Sequence, residues 1–269
     1  MSFIVNPYLY VPQVDPDCAA FLTATGITDP TISAAICTLV TSMKAHGTWA
    51  KCSAIYPFVG GTASTHKFNL KNPADTNAAY RLSFVGGWTH SSNGALPNGT
   101  NAYAETYFNP SSVFSLHNNH ISIYSRTSTA TGIDFDLGLG GILGEQAIAL
   151  IIRRTNNNSS YDALTATGTG RITFINTDGR GFYNGSITAS NSRKYFKNGV
   201  LQVSNLTSLT QSLPNYSIYI GAYNQVGVPQ FYGAKQYSFA SIGAGLTDAE
   251  AATLYTNVQT FQTTLGRQV

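Results

Sequence analysis

From Trp49 to about Ile242 the hydrophobic period of the chain is two, and this repeated alternation limits the possible folds more than any other feature. The alternating runs fall at 54–59, 80–85, 102–108, 120–126, 147–153, 171–176, 181–189, 194–197, 200–203, 216–223 and 237–242. They are rich in Tyr, Phe, Ile and Val and are separated by spacers of Gly, Asn, Ser and Thr. Such runs predict strands joined by polar turns. So many short strands in one stretch bury their apolar faces by packing two sheets together, so the expected fold is mainly β, a two-layer sandwich. Asn198-Gly199, between YFK and VLQV, favours the left-handed backbone of a type I′ turn and predicts a tight hairpin.

Helical spacing flanks the strands. After Asp29-Pro30, residues Ile32, Ile36, Leu39, Val40 and Met43 recur on one face, with Asp29 placed to cap free amides, Pro30 suited to the first turn and Gly47 offering the stop. DPDCAAFLTATG repeats this logic on a smaller scale, giving a helical region from about Asp17 to Gly47. At the other end Thr247 and Glu250 form a capping box before a helix whose face carries Leu254, Val258, Phe261 and Leu265, with Gly266 to end it. The expected organisation is an arm and helical segment at 1–48, a candidate attachment region, followed by a sandwich with its C-terminal helix at 49–269.

Composition removes several function classes. Only 10% of residues are charged, the formal net charge is +3, and the basic residues are scattered, whereas a nucleic-acid footprint needs a concentrated patch. No apolar run is long enough to span a bilayer, and MSFIVNPYLYVP lacks the basic start and long apolar core of a secretory signal, so no membrane or classical-export role is expected. Cys18, Cys37 and Cys52 are odd in number and read as reduced, partly buried residues of a chain made in a cytoplasm. The opening MSFIVNPYLYVPQVDPD is cut by Pro7, Pro12 and Pro16, which suits an edge strand or extended arm. Phe3, Ile4, Tyr8 and Tyr10 on that arm need cover in water, from their own domain or from a partner subunit.

Two sets of residues are candidates for ligand chemistry. Trp88, His90, Asn93, Asn101, Tyr103, Glu105 and Tyr107 mix aromatic, amide and carboxylate groups that suit a glycan, since a ring covers the apolar face of a pyranose while polar groups order its hydroxyls. Tyr103, Glu105 and Tyr107 alternate and are placed to share one strand face; the bland alternative turns the tyrosines into the core. Asp134 and Asp136, in GIDFDLG, supply paired oxygens for Ca2+ or for glycosidic acid–base chemistry, but no third Glu stands at an E-x-D-x-x-E spacing. The histidines at 46, 66, 90, 117 and 120 make no zinc pattern, and GGTASTH has no nucleophile elbow.

The order of HISIYSRTS, GFYNGSITAS, RKYFKNGVLQV, YSIYIGAYN and SFASIGAGLTDAEAATLY resembles the laminin-G/concanavalin A-like jelly-roll group over about Leu96 to Gly266. In that group an Asn-Gly hairpin strand and a Gly-rich turn into L-T-x-x-E before a helix recur. Together with IYPFVGGTASTHKFNLKNP and YRLSFVGGWTHSSNGALPNGTNAYAETYFNPSS, the chain resembles an appended domain of tailed-bacteriophage virion proteins. This resemblance implies a non-enzymatic structural, head-decoration or tail-fibre component that contributes to host-surface attachment, placed in the virion after synthesis in the host cytoplasm. Its implied partners are other virion proteins and further copies of itself, a trimer among the options, with a host-surface glycan as a further partner. The alternative is a carbohydrate-binding adhesin domain, with a glycoside hydrolase third. The helical segment and IYPFVGG precede the sandwich and have no place in the common lectin core, so no sugar specificity is inherited.

Overall fold

A computed structural model describes residues 14–269 except 131, 133, 143–144, 166–169 and 209–210. The arm residues Phe3, Ile4, Tyr8 and Tyr10 lie outside the described residues. Helices α1 (Pro16–Thr25), α2 (Pro30–Ala45) and α3 (Thr48–Lys51) lead into β1 (Cys52–Tyr56), and α4 (Ala63–His66) follows. Then come β2 (Ser83–Val85), β3 (Trp88–Ser91), β4 (Gly94–Pro97), β5 (Tyr103–Glu105), α5 (Pro110–Val113), β6 (Asn119–Ser125), β7 (Leu137–Gly140) and β8 (Glu145–Ile151). The series continues with β9 (Asn158–Thr165), β10 (Arg171–Ile175), β11 (Gly181–Ala189), β12 (Ser192–Lys197) and β13 (Val200–Asn205). It closes with β14 (Tyr219–Ile220), β15 (Tyr223–Gln225), β16 (Val228–Gln230), β17 (Tyr237–Gly243) and α6 (Asp248–Thr264). Among the described residues no helix is long and apolar enough to cross a membrane.

The strands form two sheets, as the period of two requires. One sheet of eight runs β13-β12-β11-β6-β17-β4-β3 with β1 also paired to β17, and one of nine runs β10-β9-β8-β7-β14-β5-β2 with β15 against β7 and β16 against β15. Their facing sides share the main core, in which Ile121, Ile123, Tyr183, Tyr195 and Ile242 meet Leu137, Ile148, Leu150, Tyr161 and Ile220. Gly185 has no side chain because a Cβ there would stand 2.4 Å from the Tyr161 ring.

The outer side of the eight-stranded sheet is sealed. Ile55, Tyr124, Phe182, Phe196 and Phe239 project from it into a second core with Phe21, Ile36, Leu39, Val40 and Met43 of α1 and α2, and with Leu254, Val258 and Phe261 of α6. The helical segment thus packs on the sandwich through a continuous apolar layer. The helix ends follow their local code: Asp29 accepts from the Ile32 amide, and Thr247 and Glu250 close a reciprocal capping box. At the β12–β13 turn Asn198 and Gly199 have φ of 50° and 72°, the expected left-handed pair. That turn abuts α6, where a Cβ on Gly199 would lie 3.0 Å from the Ala252 Cα. Beyond α6, the buried Arg267 donates to the carbonyls of Pro57, Phe58, Ser92 and Ser238, tying the helix to loops of the sandwich.

The cysteine expectation is corrected. Cys18 and Cys37 form a disulfide, because α1 and α2 pack with these Cα atoms 5.1 Å apart, within the reach of a bridge. An odd total leaves one cysteine over, and that is Cys52, whose thiol burial pushes up to about 12.

Candidate functional site

The outer side of the nine-stranded sheet is built differently. Along β5 and the residues after it, Ala102, Ala104, Thr106 and Phe108 are buried, while Tyr103, Glu105 and Tyr107 alternate with them and are only half-buried. The inward positions fill the core, so these three residues share the opposite face, and the reading that turned the tyrosines inward is corrected. Strand pairing extends the row: Ser83 of β2 and Tyr219 of β14 stand on either side of Glu105.

The resulting shelf has defined contacts. The rings of Tyr103 and Tyr219 are stacked with centroids 4.6 Å apart and planes 28° from parallel. Glu105 Oε1 accepts from the Tyr107 amide at 2.9 Å, a contact helped by the left-handed φ of 56° at Tyr107. The Tyr107 hydroxyl lies 2.9 Å from the Ser83 Oγ. Burial, and then the negative charge of Glu105, raise the phenols of Tyr103 and Tyr219 above the usual tyrosine range, so both keep their hydrogens at neutral pH. Such a surface offers ring faces for the apolar side of a sugar, and hydroxyls and a carboxylate for its hydroxyl groups. Ser83 also borders an open cleft of about 340 Å3 lined by Ser64, Lys67, Arg81 and Phe84.

Other residues of the predicted glycan set are engaged in packing and turn contacts. Trp88 is a packing residue: its indole N–H donates to the carbonyls of Val85 and Tyr103 at 3.1 and 3.2 Å, and its ring lies over Gly221, where a Cβ would come within 2.9 Å. His90 is stacked on Trp88, edge-on to Phe84, and its Nδ1 lies 2.9 Å from the Nδ1 of His66. Asn93 sits exposed in the β3–β4 turn, with its amide on Ser91 Oγ, and Asn101 braces a turn by accepting from Gly87 and Asn98. Tyr219 and Ser83 were absent from the predicted set. Tyr219 lies in the alternating run YSIYIGAYN, but no local signal pairs it with Glu105.

Asp134 and Asp136 occupy a different environment from the one a calcium ion or glycosidic bond requires, and both readings are corrected. They are buried, as is Lys235, whose Nζ lies 2.7 Å from Asp134 Oδ2 and 3.4 Å from Asp136 Oδ1. Asp136 also accepts from the Ile152 amide at 2.7 Å and the Tyr237 hydroxyl at 2.8 Å. Burial, offset by Lys235 and reinforced by Asp134, raises the Asp136 carboxyl to about 6. Lys235 already balances charge that a cation would otherwise meet. Among the described residues no three His, Cys, Asp or Glu side chains gather to hold a metal.

No protein-family profile and no curated protein matches the chain. Among solved structures, the binding domain of botulinum neurotoxin serotype D is similar at 10% identity with a TM-score of 0.53, over 77% of this chain and 52% of that one. Domain 4 of AbnA, a GH43 extracellular arabinanase from Geobacillus stearothermophilus, in complex with arabinotriose, is similar at 15% identity, TM-score 0.47, over 76% of this chain and 98% of that one. The CBM40 of the Ruminococcus gnavus IT-sialidase is similar at 15% identity, TM-score 0.42, over 51% and 82%. At these identities the likeness concerns fold, which here is a jelly-roll β-sandwich, and chemistry has to be argued from the site.

Proposed function

We propose that this protein is a non-catalytic carbohydrate-binding module that holds a saccharide on the outer face of its nine-stranded sheet. The observation that carries this reading is the half-buried row of Tyr103, Glu105 and Tyr107 beside the stacked ring of Tyr219. Aromatic faces held rigid by stacking lose little entropy on binding, and a carboxylate fixed by the Tyr107 amide meets sugar hydroxyls in a set geometry. Asp134 and Asp136 are withdrawn from solvent against Lys235, which leaves no paired carboxylates there to cut a glycosidic bond. A glycan array probed with the wild type and with Tyr103→Ala tests this reading. Binding to a defined saccharide that the variant loses supports it; binding unchanged in the variant, or no binding to any saccharide, overturns it.

The setting we propose is a bacteriophage virion, where such a module serves as a decoration or fibre component that contributes to host-surface attachment as a homo-oligomer. This rests on the sequence resemblance carried by IYPFVGG, the Gly86-Gly87 region and the C-terminal helix. Phe3, Ile4, Tyr8 and Tyr10 are then the residues proposed to meet other virion proteins or another copy. Mass spectrometry of gradient-purified particles separates the settings: stoichiometric presence places the protein on the particle, and absence makes it a free or cell-surface adhesin.

A further inference from the structure

We propose that Lys235 and Asp134 condense to form an internal isopeptide bond, with Asp136 carrying the proton between them. Three features of the interior lead to this. The Lys235 side chain is wholly buried and its Nζ touches Asp134 Oδ2, an oxygen bonded to the acyl carbon, at 2.7 Å. Asp136, also wholly buried, presents Oδ1 3.4 Å from the same nitrogen and is fixed by Ile152 and Tyr237. The site is closed to water: Lys235, Asp134 and Asp136 are all buried, and Asp134 Oδ1 is buried with no hydrogen-bond partner among the described residues.

The backbone holds the two reacting segments in register. Phe135 donates to the Phe231 carbonyl and bridges to Tyr232, Gly233 donates to Gly221, and Gly221 donates to Asp136. Lys235 and Asp134 are 101 residues apart in sequence yet are fixed by adjoining segments. A pair held in this way reacts as if each partner were present at on the order of 10^5 M or more.

The step balances without a further reagent. A buried ammonium and carboxylate together contain the atoms of an amide and one water. The ammonium yields one proton to Asp136 and the freed amine attacks Cγ of Asp134 to form the N–C bond; as the C–O bond breaks, the departing oxygen takes that proton back from Asp136 and a second one from the attacking nitrogen. Two hydrogens of the ammonium leave with that oxygen as water. Condensation replaces two buried charges by a neutral amide, which removes the cost of holding them out of water.

Intact mass spectrometry of the full chain after disulfide reduction tests the proposal. The wild type is expected one water (about 18 Da) below the mass of its sequence, with fragment spectra joining the Asp134 peptide to the Lys235 peptide. Asp134→Asn is expected to give the same product by expelling ammonia. Asp136→Asn, which keeps the side-chain shape, is expected to fold, as judged by circular dichroism, and to retain the uncondensed mass. A wild-type mass equal to that of the reduced sequence overturns the proposal, as does a water loss that persists in Lys235→Arg or maps to other residues.

Discussion

The two sheets face their surroundings in opposite ways. On the eight-stranded sheet the outward side chains are Ile55, Tyr124, Phe182, Phe196 and Phe239, and α1, α2 and α6 cover them. On the nine-stranded sheet the outward residues around β5 are Ser83, Tyr103, Glu105, Tyr107 and Tyr219, and the first four stay half-buried. The apolar face is a stability surface, because its residues have value only under a cover. The face that mixes phenols with a carboxylate keeps hydrogen-bonding groups that an apolar cover would leave unsatisfied, and this is why it is the face proposed to take a ligand.

Substitutions under the helices are expected to have the largest effects on stability and none on saccharide binding. Phe261→Ala removes a ring that is 2% exposed and should cost about 4 kcal/mol in a denaturant titration. An equal loss of binding in that variant would break the division between the two faces. Replacing both Cys18 and Cys37 by Ser opens a bridge across a separation of 19 residues and should cost about 3 kcal/mol by loop entropy.

Acid should unseat the covered sheet through His120. The imidazole is buried between the Ala244 carbonyl and the Ser241 hydroxyl, and since the carbonyl can only accept, Nδ1 carries the hydrogen and Nε2 accepts. Burial is the main cause that lowers its pKa to about 4, from an ordinary 6.5. A depressed folded value means that the unfolded chain binds the proton first. The contribution is therefore fully present above pH 6.5 and is lost as pH falls towards 4, an amount of about 3 kcal/mol for this group. Urea midpoints measured across that range should fall with acid, and His120→Gln should flatten the part of the slope that His120 supplies.

The smallest effects on stability should come from the open face. Tyr103→Ala should weaken saccharide binding by about 1–2 kcal/mol, read by calorimetry, while lowering stability by about 1 kcal/mol through the lost stacking on Tyr219. Trp88→Phe, which alters a packed ring and leaves the shelf side chains in place, should leave the affinity within about twofold, well under 1 kcal/mol.

What could be read from the sequence was what is coded locally. Asp29 before Pro30, Thr247 with Glu250, and Asn198-Gly199 each act within four residues, and each does in the structure what its neighbours predict. The alternation of Tyr103, Glu105 and Tyr107 was legible as a shared face, but the direction of that face depends on which sheet β5 joins. Its neighbour Tyr219 is supplied by β14, more than a hundred residues on. Lys235 was invisible as a partner of Asp134 and Asp136 for the same reason, since the pairing spans 101 residues. The bridge between Cys18 and Cys37 was missed because an odd count was read as no pairing, whereas helix packing decides which two sulfurs meet. Trp88 drew a ligand role from its chemistry, and its N–H is spent on two backbone carbonyls that the sequence does not place.

The most direct test of the division between the faces is a hydrogen-exchange footprint of the protein with a saturating saccharide selected on the array. Exchange is expected to slow at the amides of residues 103–107 and at 219–220, with α1, α2 and α6 unchanged. Protection confined to the β3–β4 turn at Asn93 or to the helical face, with 103–107 unaffected, would overturn that division.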